Sequence, residues 1–334
     1  MRILITGGAG YIGSHTLVEV LAAGHEAHVV DNFCNSSPVA LERVRRISNR
    51  AFGVTEADLR DTSATTQVLS SFEPDAVIHF AGLKAVGESA EIPLDYYDAN
   101  VGGTIALQKA LKTTDCRRVV FSSSATVYGD PDKLPIDEDH PLRATNPYGR
   151  TKLFIEEILC DLAESDSAWS VANLRYFNPV GAHKTGLIGE DPIGKPNNLM
   201  PFVAQVATGQ HPELNIWGDD YDTPDGTGVR DFIHVTDLAR AHLAAVDWTG
   251  RTKGARAFNI GTGRGTSVRE ILTAFERASG QKVPYRVAPR RAGDVASCFA
   301  DASRATSELG WSAELGIDDM CQSLWAWQSQ NPQG

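Results

Sequence analysis

The chain has 334 residues, about two domains' worth of sequence, with 42% hydrophobic and 22% charged residues, 30 glycines and 16 prolines. These figures exclude disordered, collagen-like and small disulfide-rich classes. With 31 Lys and Arg against 42 Asp and Glu, the net charge of −11 repels phosphate backbones and anionic lipid, so neither nucleic acid nor a membrane is an expected partner. An anionic small ligand would need local arginines or helix N-termini to offset that field. Cys34, Cys116, Cys160, Cys298 and Cys321 are odd in number and form no C-x-x-C pair, which suggests neither a disulfide framework nor a zinc site. The first apolar run, Ile3 to Ile5, is too short for a signal-peptide core, and no run nears the ~20 apolar residues of a membrane span. A cytoplasmic location is the expectation, and the nine histidines show no spacing that predicts a metal.

Short β-branched runs alternate with helix-like stretches through the first half. Arg2–Thr6 leads into Tyr11–Ala23; Ala27–Val30 and Ala76–Phe80 follow, then an amphipathic Val101–Leu111. Arg118–Ser122, a helix over Pro147–Leu162 and Val171–Arg175 complete the series. Strands separated by helices at this spacing predict an α/β, doubly wound parallel sheet covered on both faces. After Asn178 the rhythm breaks. Residues 179 to 230 are rich in Gly, Pro, Asn and Asp, with one helical stretch near Pro201–Thr208, and read as ligand-facing loops or a smaller lobe. Apolar runs return at Val229–Val235 and Ala257–Ile260, before a helix near Ser267–Ser279. The expected division is a nucleotide-binding domain over 1–178 and a smaller lobe over 179–334, with segments near 229–261 free to rejoin the first.

The turn Thr6–Gly13, TGGAGYIG, follows one predicted strand and opens a predicted helix. That is the context in which Gly7, Gly10 and Gly13 allow a tight turn, close approach of backbone N–H groups to a pyrophosphate and close helix packing. The G-x-x-G-x-x-G spacing resembles short-chain dehydrogenase/reductases. Asp31 ends the next strand, where a carboxylate can accept from the adenosine ribose hydroxyls and repel a 2′-phosphate. NAD is therefore expected rather than NADP, since Asn32 to Ser37 contain no compensating Arg. Tyr148 and Lys152 form a Tyr-x-x-x-Lys pair on one helix face, with Asn146 as N-cap and Pro147 at the first helical position. A neighbouring ammonium, a positive nicotinamide ring and the helix N-terminus would each favour the phenolate and lower a tyrosine pKa from ~10. Ser122–Ser124 follow the strand upstream and offer a hydroxyl to the same substrate oxygen.

Longer blocks carry a more specific resemblance. His79–Ser89 (HFAGLKAVGES), Phe121–Gly129 (FSSSATVYG), Arg175–Ala182 (RYFNPVGA), Pro196–Pro201 (PNNLMP) and Gly226–Asp231 (GTGVRD) together resemble the UDP-glucose 4-epimerase family over the whole chain. The resemblance implies NAD-dependent inversion at the sugar carbon 4 through a 4-keto intermediate, and a homodimer. It implies Tyr148 as acid/base, Lys152 as its electrostatic partner and Ser124 as the hydroxyl orienting the 4-oxygen. Tyr11 and Ile12 fall at the pyrophosphate, Asp31 and Asn32 at the adenosine ribose, and Asp58 and Leu59 at the adenine. Phe80, Ala81, Lys84 and Asn100 fall along the rest of the cofactor, and Phe177 beside the nicotinamide. Asn178, Asn198, Leu199, Trp217, Arg230, Arg291 and Asp294 match UDP-sugar contacts, with Lys84 near the sugar as well, and the two arginines suit a diphosphate.

One block departs from the family pattern. Where some members carry Tyr, this chain has Cys298 within Ser297–Asp301, which implies a roomier pocket beside the sugar 2-substituent and acceptance of N-acetylated UDP-sugars. A small buried hydrophobe is the competing reading of Cys298. Asp219–Gly226 reads as an acidic turn rather than a calcium loop, and Gly261–Gly265 as a turn into the next helix. A nucleotide-sugar 4,6-dehydratase would need a carboxylate pair beside the catalytic hydroxyl, where this chain has Ser124-Ala125-Thr126. A UDP-glucuronate 4-epimerase would need a further pocket Arg, and a non-catalytic NAD sensor would not need Ser, Tyr and Lys in register.

Overall fold

A computed structural model describes residues 1–332 apart from 193, 195 and 292. Its larger sheet has seven parallel strands in the order Gly254–Ile260, Ser170–Tyr176, Arg118–Ser124, Ala76–His79, Arg2–Thr6, Glu26–Asp31 and Gly53–Glu56. The alternating side chains of a strand explain the two covered faces. Ile3 and Ile5 pack with Leu17, Leu21 and Leu41 on one side, while Leu4 packs with Leu69, Leu107, Phe121 and Leu159 on the other. The first strand lies between the second and fourth, so successive crossovers leave it in opposite directions. A crevice opens at such a reversal, beyond the C-terminal strand ends.

Local chemistry sets the helices around that crevice. The helix Tyr11–Ala22 begins at Gly10 with no side chain capping it, which leaves its leading N–H groups for a ligand. Pro147–Ser165 begins where the Asn146 side chain accepts the Gly149 N–H at 2.8 Å, with Pro147 pre-set for the first turn. Ser267 and Glu270 form a capping box at the start of Val268–Ser279. Pro38–Ser48, Gly53–Glu56 and Thr62–Phe72 follow Asp31, and Val86–Glu91, Pro93–Tyr96 and Gly103–Leu111 lie between His79 and Arg118.

The chain leaves the large sheet at residue 176 and returns. Val229–His234 belongs to a second small sheet, with Gly265–Ser267 on one edge of its first half and Ser297–Cys298 on the other, while Asn178–Val180 pairs with its second half. The helix Val235–Thr249 then packs along Tyr11–Ala22, and Gly254–Ile260 pairs in parallel with Ser170–Tyr176. The smaller lobe has its own core, with Val203, Ile216, Phe275, Met320 and Leu324 buried together.

Candidate active site

A cleft of about 370 Å³ runs across the strand ends, within the size range of small-molecule sites. It is lined by Gly7, Gly10, Tyr11, Ile12 and Gly13, then Asp31 and Asn32, Asp58 and Leu59, Phe80, Ala81 and Lys84, and ends at Tyr148 and Lys152. Fourteen of the residues singled out from the sequence are thus brought to one wall.

The glycines are required by close approach. Gly7 has φ +70°, and a Cβ there would stand 2.6 Å from the Ala81 nitrogen; one on Gly13 would stand 2.3 Å from the Gly7 oxygen. The loop therefore lies flat enough for a pyrophosphate to reach the uncapped helix. Asp31 is buried and accepts from the Ala9 and Phe33 N–H groups and the Ser36 hydroxyl, each at 2.9 Å. Two carboxylate oxygens offer about four acceptor positions, so capacity remains for a ribose hydroxyl. The backbone cradle and this carboxylate together fit the expected dinucleotide.

Arg60 is a cleft residue that sequence reasoning passed over. It grips Asp58 through Nε at 2.9 Å and Nη2 at 2.7 Å, reaches Asp98 at 2.5 Å, and holds the Asp58 carboxyl well below the usual range. With Asn32 donating to Asp58 at 3.0 Å, the adenine end has a fixed polar wall. The guanidinium is already committed to two carboxylates.

At the other end, Tyr148 is buried and Lys152 beside it donates to the Ser122 carbonyl at 2.8 Å, with Nζ 5.8 Å from the tyrosine ring centre. The expected acidification of this phenol does not come from the protein alone. Burial pushes the Tyr148 pKa well above 10, the neighbouring Tyr176 adds to the rise, and the Ser124 hydroxyl bonded to the phenol opposes it. Burial also lowers Lys152 to about 8, with Glu156 one turn on acting against the drop. Both effects have one cause, since an enclosed site disfavours either charge. Tyr176 also lines the cleft; the strand register places it directly beside Ser124, a proximity no sequence spacing signals.

Two expected cofactor residues stand behind the wall. The buried Asn100 side chain accepts from Leu83 N–H at 2.7 Å and donates to the Leu83 carbonyl and the Thr151 hydroxyl, both at 3.0 Å. It shapes the 82–84 loop and braces the Tyr148 helix. Phe177 is buried with Val127, Tyr128, Ile136 and Ala300, against Cys298. Ser124 caps the short turn after its strand, accepting the Thr126 N–H at 3.2 Å.

The residues expected at the UDP-sugar lie on the smaller lobe. Arg291 pairs with both oxygens of Asp294 at 3.0 and 3.1 Å, and Arg230 reaches Asp294 at 3.9 Å while donating to the Val229 and Val295 carbonyls. Cys298 pairs with Arg230 across the small sheet, and burial lifts its thiol to about 11. Asn178 lies exposed on Asn178–Val180, Trp217 ends Leu214–Trp217, and Asn198 and Leu199 start the helix Leu199–Ala207. Asp219–Gly226 closes as a turn, with Tyr221 N–H on the Gly226 carbonyl, and the 261–264 turn is held by Asp231.

Comparison with known proteins agrees with this geometry. The profile of the NAD dependent epimerase/dehydratase family matches residues 3–261. A UDP-glucose 4-epimerase of Bacillus subtilis is 57% identical over 334 residues, covering 100% of this chain and 98% of that protein. The human UDP-glucose 4-epimerase is 54% identical, with the same coverages. The crystal structure of UDP-glucose 4-epimerase from Stenotrophomonas maltophila, with bound NAD and formylated UDP-arabinopyranose, superposes with a TM-score of 0.98 at 50% identity over 99% of each chain. That from Bifidobacterium longum, in complex with NAD+ and UDP, gives 0.96 at 52% identity over 100% of each. The chain belongs to the NAD dependent epimerase/dehydratase family.

Proposed function

We propose that this member of the NAD dependent epimerase/dehydratase family interconverts UDP-galactose and UDP-glucose by inversion at carbon 4. The observation that carries the reading is the meeting of Tyr148, Lys152 and Ser124 at one end of a glycine-floored cleft, in a chain 57% identical to a UDP-glucose 4-epimerase. The cleft residues from Gly7 to Asp58 would hold NAD, with Asp31 at the adenosine ribose. NAD supplies the acceptor for the carbon-4 hydride and its donor on return.

Tyr148 takes the proton of the 4-hydroxyl as the carbon–oxygen double bond forms, and gives it back when the hydroxyl is restored on the opposite face. Proton and hydride are both returned, so nothing is consumed. Ser124 donates to the same oxygen and keeps it at the phenol. Lys152, with its pKa near 8, is still largely protonated at neutral pH and offsets the phenolate charge that burial disfavours. Arg230 and Arg291 supply cationic ends for the diphosphate, and the small Cys298 leaves room for an N-acetyl group at the sugar 2-position.

Three exposed apolar side chains support a homodimer: Leu94, 79% exposed, Phe154 and Ile105 on neighbouring helices. The cysteine pattern and the absence of any helix long and apolar enough to cross a membrane among the described residues support a cytoplasmic setting.

The test is to incubate the purified protein with UDP-galactose and no added cofactor. UDP-glucose should appear, and Tyr148→Phe should lower turnover by about 10²–10⁴-fold, the usual contribution of a positioned acid/base, while the protein keeps its NAD. Full turnover in Tyr148→Phe, or no conversion by the unmodified chain, refutes the reading.

A further inference from the structure

Among the described residues, Glu190 is a carboxylate that touches residues assigned to both ligand sites. It is 6% exposed, and its Oε1 accepts from Asn198 Nδ2 at 2.8 Å and from Lys84 Nζ at 3.3 Å. Lys84 lines the cofactor cleft; Asn198 starts a helix of the smaller lobe. The segment leading into Glu190 is fastened at Gly181, Gly186 and Gly189. The Tyr11 phenol donates to the Gly181 carbonyl at 2.6 Å, Asn331 donates to the Gly186 carbonyl at 3.2 Å, and a Cβ on Gly189 would stand 2.4 Å from the Trp327 ring. Burial pushes the phenol of Tyr11, in the cofactor turn, upward, and Glu190 lies near enough for its charge to add to that rise.

A shared acceptor oxygen makes its two donors interdependent. With one amide hydrogen committed to Glu190, Asn198 keeps its second N–H and its carbonyl oxygen for a ligand, and the amide orientation is fixed before the ligand arrives. Lys84 is more than half exposed and would otherwise sample many rotamers. The carboxylate holds its ammonium at the cleft.

We propose that Glu190 is a positioning residue that links the hold on the dinucleotide, through Lys84, to the hold on the UDP-sugar, through Asn198. The inference rests on the ligand assignments made under Proposed function. By reciprocity, a ligand that steadies one partner of Glu190 strengthens binding at the other.

Three measurements on the NAD-loaded protein test this: the UDP dissociation constant by calorimetry, the rate of NAD loss with and without saturating UDP, and kcat separately from KM. Glu190→Gln keeps an acceptor oxygen for Asn198 but removes the charge that faces Lys84. It should speed NAD loss up to about fivefold, the range of a half-exposed ion pair, with UDP affinity nearly unchanged. Glu190→Ala removes both and should also weaken UDP about tenfold, in line with a lost hydrogen bond to a charged group. It should raise KM more than it lowers kcat, and shrink the protection of NAD by UDP. Unchanged NAD loss and UDP affinity in a folded Ala variant overturns the proposal. So does a drop in thermal midpoint with equal losses from Gln and Ala, the signature of a purely structural role. If the unmodified chain binds neither NAD nor UDP, the functional reading itself fails and this inference with it; if both bind and the two variants behave alike, only the inference fails.

Discussion

Breaking the buried Arg175–Glu156 ion pair, one helical turn beyond Lys152, should destabilise the fold more than deleting it whole. Arg175 and Glu156 have side chains 6% and 4% exposed. Arg175 Nε donates to both carboxylate oxygens at 3.1 and 3.0 Å, Nη2 donates at 2.6 Å, and the Ser123 hydroxyl donates to the same carboxylate. Arg175→Met leaves the buried Glu156 carboxyl without its cation, and breaking such a pair costs about 3–5 kcal/mol. Arg175→Met with Glu156→Leu removes both charges. It still orphans the Glu138 carbonyl that Arg175 serves at 3.1 Å and the Ser123 hydroxyl, so a residual cost of about 1–3 kcal/mol is expected. Equilibrium urea unfolding of the two singles and the double gives the coupling directly. A single-variant cost below about 1 kcal/mol, or a double at least as unstable as the summed singles, would show that the pair is not the uncompensated-charge risk argued here.

Four other outcomes follow from the same physics. Lys152 falls from 10.5 unfolded to about 8 folded, so burying its ammonium costs roughly 3 kcal/mol below pH 8, and this is relieved as pH rises from 8 toward 10.5; Lys152→Met should therefore be inactive yet more stable than the parent at pH 7 in urea titrations, losing most of that advantage by pH 10. His15 and His79 near 3, with His234 and His242 near 4, stay neutral in the fold while the unfolded chain protonates. Stability should thus be full above pH 6.5 and fall below it by up to about 5 kcal/mol per pH unit; a flat thermal midpoint between pH 6.5 and 4.5 contradicts this. Cys298→Tyr should abolish turnover of UDP-N-acetylgalactosamine in a coupled assay while UDP-galactose is still converted, and equal retention of both would sink the pocket-size argument. Leu94→Glu with Phe154→Glu should halve the sedimenting mass, whereas an unmodified protein that already sediments as a monomer would remove the dimer.

What could be read in the sequence was what lies close along the chain. The glycine turn, Asp31 at a strand end, and Tyr148 and Lys152 one helical turn apart each depend on a few adjacent residues, and the predicted strands and helices that carry them stand within a few residues of the observed ones. Gly53–Glu56 and Thr62–Phe72 escaped because the first is only four residues and the second is rich in Ser and Thr, which weakens periodicity. The return of Gly254–Ile260 to the large sheet was hidden for another reason. Its pairing with Ser170–Tyr176 spans some eighty residues of chain, and both later apolar runs look alike locally. Tyr176, Arg60 and Glu190 share that fault. Tyr176 and Glu190 meet Ser124 and Lys84 only through the fold, and Arg60, although Asp58 is close by in sequence, has its second partner, Asp98, 38 residues away.

Asp294 binds Arg291 through both carboxylate oxygens and stands 3.9 Å from Arg230, the two arginines proposed above for the diphosphate. On that proposal, an arriving anion would exchange with a resident carboxylate at Arg291, rather than fall into an open cationic well. Such a seat trades tightness for reversibility, and a nucleotide displaced from it leaves behind a counterion already in place. For a catalyst whose product differs from its reactant in one stereocentre, easy departure matters as much as capture.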